Sequence, residues 1–382
     1  MRMELSREGS VVFLILCACG AINLVFYVTV SDPQIRGRRF IQWIGKDFVE
    51  NTFIIAKDKL KYPPASRAAF SNNTKRATYV SMFQHDFFLN SLRRLKDVKS
   101  TEWEERTKQN SFQFNYILNE PFMCKTNSSV HLMIVVCSGV ENLEARFAIR
   151  NTWGSYILDK NVTSRLVFLL GKGNNSFLQP QIQKESQLYG DIVQGDFHDS
   201  YRNLSLKSVF MLHWIKNFCS NSIFVLKTDD DVFVNLPNLL ETLSSRSKGD
   251  RYILGYVFDN AQPDQNPNSK WYTPSEDFPE KFYPRYCSGT AYSFTSNITN
   301  DLLAASMETK LFWLEDIYIT GLCARKARVR HVHNKEFWFG RRKSTGCEYR
   351  NGISGHKVTV KYMYKIFAEL TNNNLTCVDG HN

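Results

Sequence analysis

Over 382 residues the chain has no G-x-x-x-x-G-K-[ST] loop, no G-x-G-x-x-G turn, no C-x-x-C pair and no visible internal repeat. Without the first two there is no signature of a P-loop enzyme or a dinucleotide oxidoreductase, and without the third a structural zinc site lacks its usual spacing. Long basic blocks are missing as well. The formal charge is +11, but Lys and Arg are scattered among acids, so nucleic acid is not an expected partner. Apolar residues, at 43%, are ordinary in amount and sufficient for a globular core.

Charge is also absent from residues 11–30, "VVFLILCACGAINLVFYVTV". As a helix these twenty residues span about 30 Å, the thickness of a bilayer's hydrocarbon core. Ser31, Asp32 and Pro33 follow instead of an A-x-A-like exit, so an uncleaved signal anchor is preferred to a cleaved signal peptide. Residues 1–10 would then be a cytoplasmic tail. Arg2 and Arg7 favour that orientation, whereas Arg36, Arg38 and Arg39 oppose it. N-x-S/T acceptors at Asn72, Asn127, Asn161, Asn174, Asn203, Asn297 and Asn374 all lie beyond the span and fit a luminal chain. Outside the span stand Cys124, Cys137, Cys219, Cys287, Cys323, Cys347 and Cys377, an odd set that leaves at least one thiol without an internal partner.

Residues 31–120 are polar and interrupted and read as a stem. From 121 to 382 the texture is that of a folded domain: "HLMIVVCSG", "SRLVFLLG", "DIVQGDF", "SIFVLKT", "YILGYVF" and "AYSFT" are short apolar runs. Helical stretches lie between several of them, the clearest being "LSLKSVFMLHWIKNFC", apolar nearly all round. Alternation of strands and helices predicts an α/β domain with a mainly parallel sheet covered on both faces. Ligands of such sheets bind at the carboxyl ends of the strands.

At one such end, residues 226–235 read "LKTDDDVFVN", and Pro237 with "NLLETLSS" predicts a helix directly after it. Asp229, Asp230 and Asp231 therefore occupy a strand-to-helix turn. One of them could simply cap that helix. Three acids at the end of a buried strand repel one another, however, and hard oxygen donors suit Mg²⁺ or Mn²⁺, whose shells are commonly completed by phosphates and water. An EF-hand would need spaced ligands and a glycine at the sharp turn, which are absent. The ligand that fits is a nucleotide diphosphate, and in a luminal α/β domain this points to transfer from a nucleotide sugar.

"ARFAIRNTWG", "YGDIVQGDFHDSYRNLSLKS", "KTDDDVF", "WYTPSEDFPEKFYPRYCSGTAYSF" and "LEDIYITGLC" occur in this order within residues 134–370. Together they resemble the animal β-1,3-galactosyltransferase and β-1,3-N-acetylglucosaminyltransferase family. The resemblance implies a GT-A, Rossmann-like domain in a single-pass type II Golgi membrane protein. It also implies inverting transfer of a hexose, galactose favoured and N-acetylglucosamine the alternative, from a UDP-sugar to an acceptor glycan on a glycoprotein or glycolipid, with Mn²⁺. A homo-oligomer is left open. A silent, lectin-like relative serving as a partner-binding subunit, and a metal-dependent nucleotide hydrolase, are the alternatives.

Carried onto this chain, the resemblance makes Asp231 a metal ligand, places Asp229 at the ribose or a metal-bound water, and sets Asp230 at the uridine side or merely at the turn. In "GHKVTVKYMYKIFAEL" it makes His356 a further metal ligand, with His331 and His333 of "VRHVHNKEF" as rivals. In "FWLEDIYITG" it makes Asp316 the general base, with Glu315 as helper. The competing reading is that both acids cap the following helix. Arg146, Arg150 and Trp153 would line the nucleotide end, or else form an ion pair and a core aromatic. Asp199 and Lys207, in the pattern D-x-Y-x-N-L-x-x-K that also holds Tyr201 and Asn203, would organise the carboxylate turn. Trp271, Tyr272, Tyr286 and Gly289 would face the acceptor, or else the aromatics of this loop are simply core. A glycan on Asn203 would sit beside the site, so Asn203 is expected to be unmodified.

Overall fold

The structure is a computed structural model that describes residues 110, 112–126, 128–158, 163–372 and 375–377, with the backbone of four short strands in residues 4–44. It divides into two units, 1–69 and 70–382. In the first, the stretch expected as a membrane-spanning helix is an antiparallel hairpin, Gly9–Ala18 paired with Ala21–Val30. Valine, isoleucine, phenylalanine and tyrosine crowd both arms, and these residues suit strands as well as apolar helices. No helix among the described residues is long and apolar enough to cross a membrane. Most of the expected stem, and Asn72, Asn127, Asn161 and Asn374, lie outside the described residues.

The second unit is built on one eight-stranded sheet. Its strands are β1 (Tyr116–Leu118), β2 (Val130–Cys137), β3 (Ser164–Lys172), β4 (Ile192–His198), β5 (Ser222–Asp229), β6 (Tyr252–Phe258), β7 (Tyr286–Thr295) and β8 (Arg330–His333). Their order is β8-β6-β7-β5-β2-β3-β4-β1. The block β4-β3-β2-β5 is parallel throughout. Beyond it, β7 runs antiparallel to both β5 and β6, and β1 antiparallel to β4, so the sheet is mixed. The sheet already includes residues 116–118, slightly before the boundary expected at 121.

Helices α1 (Leu143–Asn151), α2 (Gln179–Tyr189), α3 (Leu204–Phe218), α4 (Leu236–Ser244), α5 (Thr299–Glu308) and α6 (Val360–Leu370), with a π-helix at Ile317–Cys323, cover the sheet. The strand β2 shows why its run is apolar rather than alternating. Met133, Val135 and Cys137 join one core cluster with α3, while Leu132, Ile134 and Val136 join the other with α1 and α6. A strand buried on both faces needs apolar side chains on both. Among the described residues two disulfides occur, Cys124–Cys219 within a core cluster and Cys347–Cys377 near the C-terminal end, and Cys137, Cys287 and Cys323 are free and buried.

Candidate active site

The strand β5 carries Val225, Lys227 and Asp229 on one face, because successive side chains alternate. That face is the one covered by α3 and the π-helix. Lys227 is 2% exposed at the side chain, and its Nζ lies 2.7 Å from Asp229 Oδ1 and 3.7 Å from Glu315 Oε2. It also donates to the Gly289 carbonyl at 2.6 Å. Burial alone would lower the Lys227 pKa, but Asp229 and Glu315 outweigh that and raise it, so it stays charged. Burial pushes Asp229 up to about 6, against the lowering by Lys227. Lys227 was passed over in the sequence although it stood in the quoted motif. The signal was a lone cation directly after the apolar run Ile223–Leu226.

Asp230 and Asp231 leave the strand in different directions. The backbone N–H of Asp230 donates to the Cys137 carbonyl at 3.2 Å, and its Oδ2 accepts from Asn142 Nδ2 at 2.8 Å, next to the start of α1. The helix after the turn, α4, is capped instead by Asn235, whose side chain accepts from the Asn238 N–H. Asp231 is met by His356 through a two-residue ladder, Phe233–Val234 against Ser354–Gly355. Extending the Phe233–Gly355 register sets Val232 opposite His356 and Asp231 one residue further on, diagonal to it. His356 Nε2 accordingly lies 3.1 Å from Asp231 Oδ2, and the Val358 N–H donates to the Asp231 carbonyl at 2.8 Å.

The rival histidines are engaged elsewhere. His331 and His333 lie on β8, where His331 Nε2 meets the Thr320 carbonyl and His333 Nδ1 accepts from the Val257 N–H at 3.1 Å. Among the described residues no three His, Cys, Asp or Glu side chains form a complete metal cage. An adjacent carboxylate and imidazole nonetheless form a donor pair that Mn²⁺ accepts, with phosphate and water to complete the shell. The residues present fit the cation.

Glu315 and Asp316 reach the same region from the start of the π-helix and differ sharply. Glu315 is 6% exposed. Its Oε1 accepts from Ser208 Oγ on α3 at 2.7 Å and from Tyr292 Oη on β7 at 2.8 Å. Asp316 is only half-buried, accepting from the Ile317 N–H at 2.9 Å and from the Gly289 N–H at 3.3 Å. It therefore caps the π-helix through one oxygen and reaches β7 through the other. Burial, then the neighbouring Glu315 charge, push Asp316 up to about 6. Ser208 and Tyr292 were not foreseen, since their link to Glu315 exists only once α3, β7 and the π-helix are packed.

Gly289 stands at the junction of the two halves, its carbonyl on Lys227 and its N–H on Asp316. A Cβ there would meet Glu315 Oε2 at 3.0 Å and the Asp316 Cβ at 3.1 Å, which accounts for glycine. Tyr286, at the start of the same strand, is half-buried and stacks on Phe258 with centroids 5.2 Å apart. Trp271 is 50% exposed, and its Nε1 donates to Tyr201 Oη at 3.2 Å. Tyr272 is half-buried beside it, bridged through its backbone to Asp264.

Arg146, Arg150 and Trp153 are placed away from any open surface of the site. All five N–H groups of Arg146 are engaged, by Glu185, Ser138 Oγ and the carbonyls of Gly139 and Val140. Arg150, one turn further along α1 from the carboxyl ends of the strands, pairs with Glu185 and with Asp191, just ahead of β4. Trp153 is 0% exposed in the core. Lys207 binds Asp199 at 2.7 Å and the Ser138 carbonyl at 2.9 Å, while Asp199 accepts from the Gly171 N–H. These contacts tie together the loops after β2, β3 and β4.

The galactosyltransferase family pattern matches residues 144–335, a span that runs from α1 through the carboxylate turn and the π-helix to just past β8. The chain belongs to the galactosyltransferase family. It is a glycosyltransferase. Beta-1,3-galactosyltransferase 1 of Homo sapiens is 36% identical over 265 residues, covering 69% of this chain and 80% of that one. Beta-1,3-galactosyltransferase 2 of Mus musculus is 35% identical over 271 residues, covering 69% and 64%. Among solved structures, the WbbM bifunctional glycosyltransferase aligns with 12% identity and a TM-score of 0.37, over 87% of this chain and 65% of its own. A Drosophila galactosyltransferase variant in complex with manganese, UDP-galactose and xylobiose aligns with 10% identity and a TM-score of 0.32, over 66% and 78%.

Proposed function

We propose that the chain transfers a hexose, galactose in the first instance, from a UDP-sugar to a hydroxyl of an acceptor glycan with inversion, forming a β-1,3 linkage. One observation carries this reading: an elevated carboxylate, Asp316, is joined through Gly289 and Lys227 to the carboxylate turn at Asp229. In this reading a base and a diphosphate-binding turn belong to one hydrogen-bonded unit of a GT-A domain.

In this reading Asp231 and His356 hold a divalent cation, Mn²⁺, which when bound offsets the charge that grows on the departing diphosphate. Asp229 is fixed by Lys227 at one oxygen and directs the other toward the nucleotide or the cation's water. Asp230, tethered to Asn142, fixes the turn against α1. Arg146, Arg150, Trp153, Asp199 and Lys207 support the loops that surround the nucleotide without touching it. Asp316 accepts the proton of the acceptor hydroxyl as that oxygen bonds to the anomeric carbon. The bond from that carbon to the phosphate oxygen breaks, and its electron pair leaves with UDP. A carboxylate with a pKa near 6 is ionised at neutral pH and still a competent base. Glu315, held by Ser208 and Tyr292, keeps Asp316 in place, and Trp271, Tyr272 and Tyr286 wall the acceptor.

The chain is further proposed to be a single-pass type II protein of the Golgi membrane with the second unit in the lumen. Two disulfides suit an oxidising compartment. A lone hairpin in lipid would leave its strand edges unpaired, so in a bilayer residues 11–30 are proposed to span as a helix. Incubation of the solubilised protein with UDP-galactose, UDP-N-acetylglucosamine, Mn²⁺ and β-linked acceptor glycosides tests the activity. A linkage-defined transfer product supports it, and UDP release that ignores the acceptor contradicts it.

A further inference from the structure

Beside Trp313, three residues ahead of Asp316, lies a cavity of about 310 Å³ with Phe278, Phe312 and Leu322 in its walls and Arg202, Lys310 and Asp277 also lining it. The Arg202 guanidinium carbon lies over the Trp313 ring, 3.7 Å from its centroid. Tyr201 stands between Trp313 of this cavity and Trp271. Its ring is 6.2 Å from Trp313 and its hydroxyl accepts from Trp271. The Tyr201 pKa is raised by burial first, with Asp316 and Asp229 both adding to the effect, so both carboxylates act on it.

Several exposed cations on neighbouring elements have carboxylate partners, among them Arg325 with Glu280 and Lys326 with Glu308. Among the described residues Arg202 and Lys310 have no such partner, and neither does Lys270, which lies 4.6 Å over Trp271 at the other side of Tyr201. Asp277 is the one acid in the lining, so the cations are in excess. A guanidinium stacked on an indole keeps its N–H edge free for two parallel hydrogen bonds, the geometry that recognises carboxylate and sulfate oxygens.

We propose that this cavity is an acceptor subsite for an acidic sugar, carrying a carboxylate or a sulfate ester, with its ring against the Trp313 wall and its anion on Arg202 and Lys310. The proposal rests on the reading of Asp316 as the base that faces the acceptor, and it names the chemical class of that acceptor. It extends to specificity: a neutral acceptor would fill the aromatic wall but leave the two cations unmatched.

Binding of fluorescent N-acetyllactosamine, its 6-sulfated form and its sialylated form to the detergent-solubilised full chain tests this at low and at high salt. The sulfated or the sialylated probe, or both, should bind roughly tenfold more tightly than the neutral one. The advantage should shrink as salt rises. The sulfated and sialylated arms decide between sulfate and carboxylate. The preference should vanish in Arg202→Gln/Lys310→Gln and survive in Arg202→Lys/Lys310→Arg, with the melting temperature reporting an intact fold. Equal binding of the neutral probe, absence of binding by both acidic probes, or a preference that survives charge removal would each overturn the subsite. Transfer to a neutral glycoside, measured separately, tests the proposed activity, so failure of one is distinguishable from failure of the other.

Discussion

Lys227 Nζ lies 2.7 Å from Asp229 Oδ1, and Lys227 is the one cation of its buried strand. The pair links the carboxylate turn to the base region, because the same ammonium also reaches Gly289 and Glu315. Lys227→Met should therefore leave two carboxylates without their buried counter-charge. Removing one partner of a buried pair costs about 3–5 kcal/mol. Urea denaturation should show a loss of that order, and Lys227→Met/Asp229→Asn should recover part of the stability without recovering transfer.

Gly289→Ala adds a methyl 3.0 Å from Glu315 Oε2 and 3.1 Å from the Asp316 Cβ. The expected result is a fall in kcat with the KM for the UDP-sugar nearly unchanged, since the disturbance reaches the base and not the nucleotide turn. Steady-state kinetics with the donor varied at saturating acceptor provides the check.

Transfer should depend on pH through Asp316. The active form is the carboxylate, and its pKa is about 6, raised by burial and by Glu315. The rate should rise with pH through about 6 and level off above it. Lys227 is among the groups that hold this pKa down, so the rising limb should move to higher pH in Lys227→Met. Stability has the opposite sign. A carboxyl whose pKa stands above its ordinary 3.8 in the folded state favours folding when protonated. Ionisation above about 6 then costs roughly 3 kcal/mol. Asp316→Asn should melt higher than wild type at pH 7.5, and the difference should fade as pH falls from about 6 to about 4.

His356→Ala removes one of the two donors that meet at 3.1 Å. The Mn²⁺ concentration for half-maximal transfer should rise at least by the roughly tenfold that even an outer partner of a metal ligand costs. A manganese titration that is unchanged would place the second donor elsewhere. His331 and His333 are poor replacements because both rings are already engaged on β8.

Much of this was legible in the chain itself. The apolar runs became β2 to β7, and the buried helix became α3, because a segment closed in on all sides must be apolar on all sides. The same property hid the direction of β7, since a strand buried on both faces shows no alternation that separates parallel from antiparallel pairing. Asp316 and His356 were reached through resemblance, but their partners were not. Gly289 and Glu315 lie far along the chain from Lys227, and only the packing of β7 and the π-helix on β5 brings them to it. A charge-free run rich in β-branched and aromatic residues suits either form, so residues 9–30 pair as a hairpin here and are proposed to span as a helix in a bilayer.

Asp316→Asn tests the central claim most directly, with UDP binding and sugar transfer measured on the same preparation. The account predicts that Mn²⁺-dependent UDP affinity stays within about twofold of wild type while transfer falls by roughly 10²- to 10⁴-fold. Transfer at the wild-type rate would contradict it, because the proton of the acceptor hydroxyl would then have another destination.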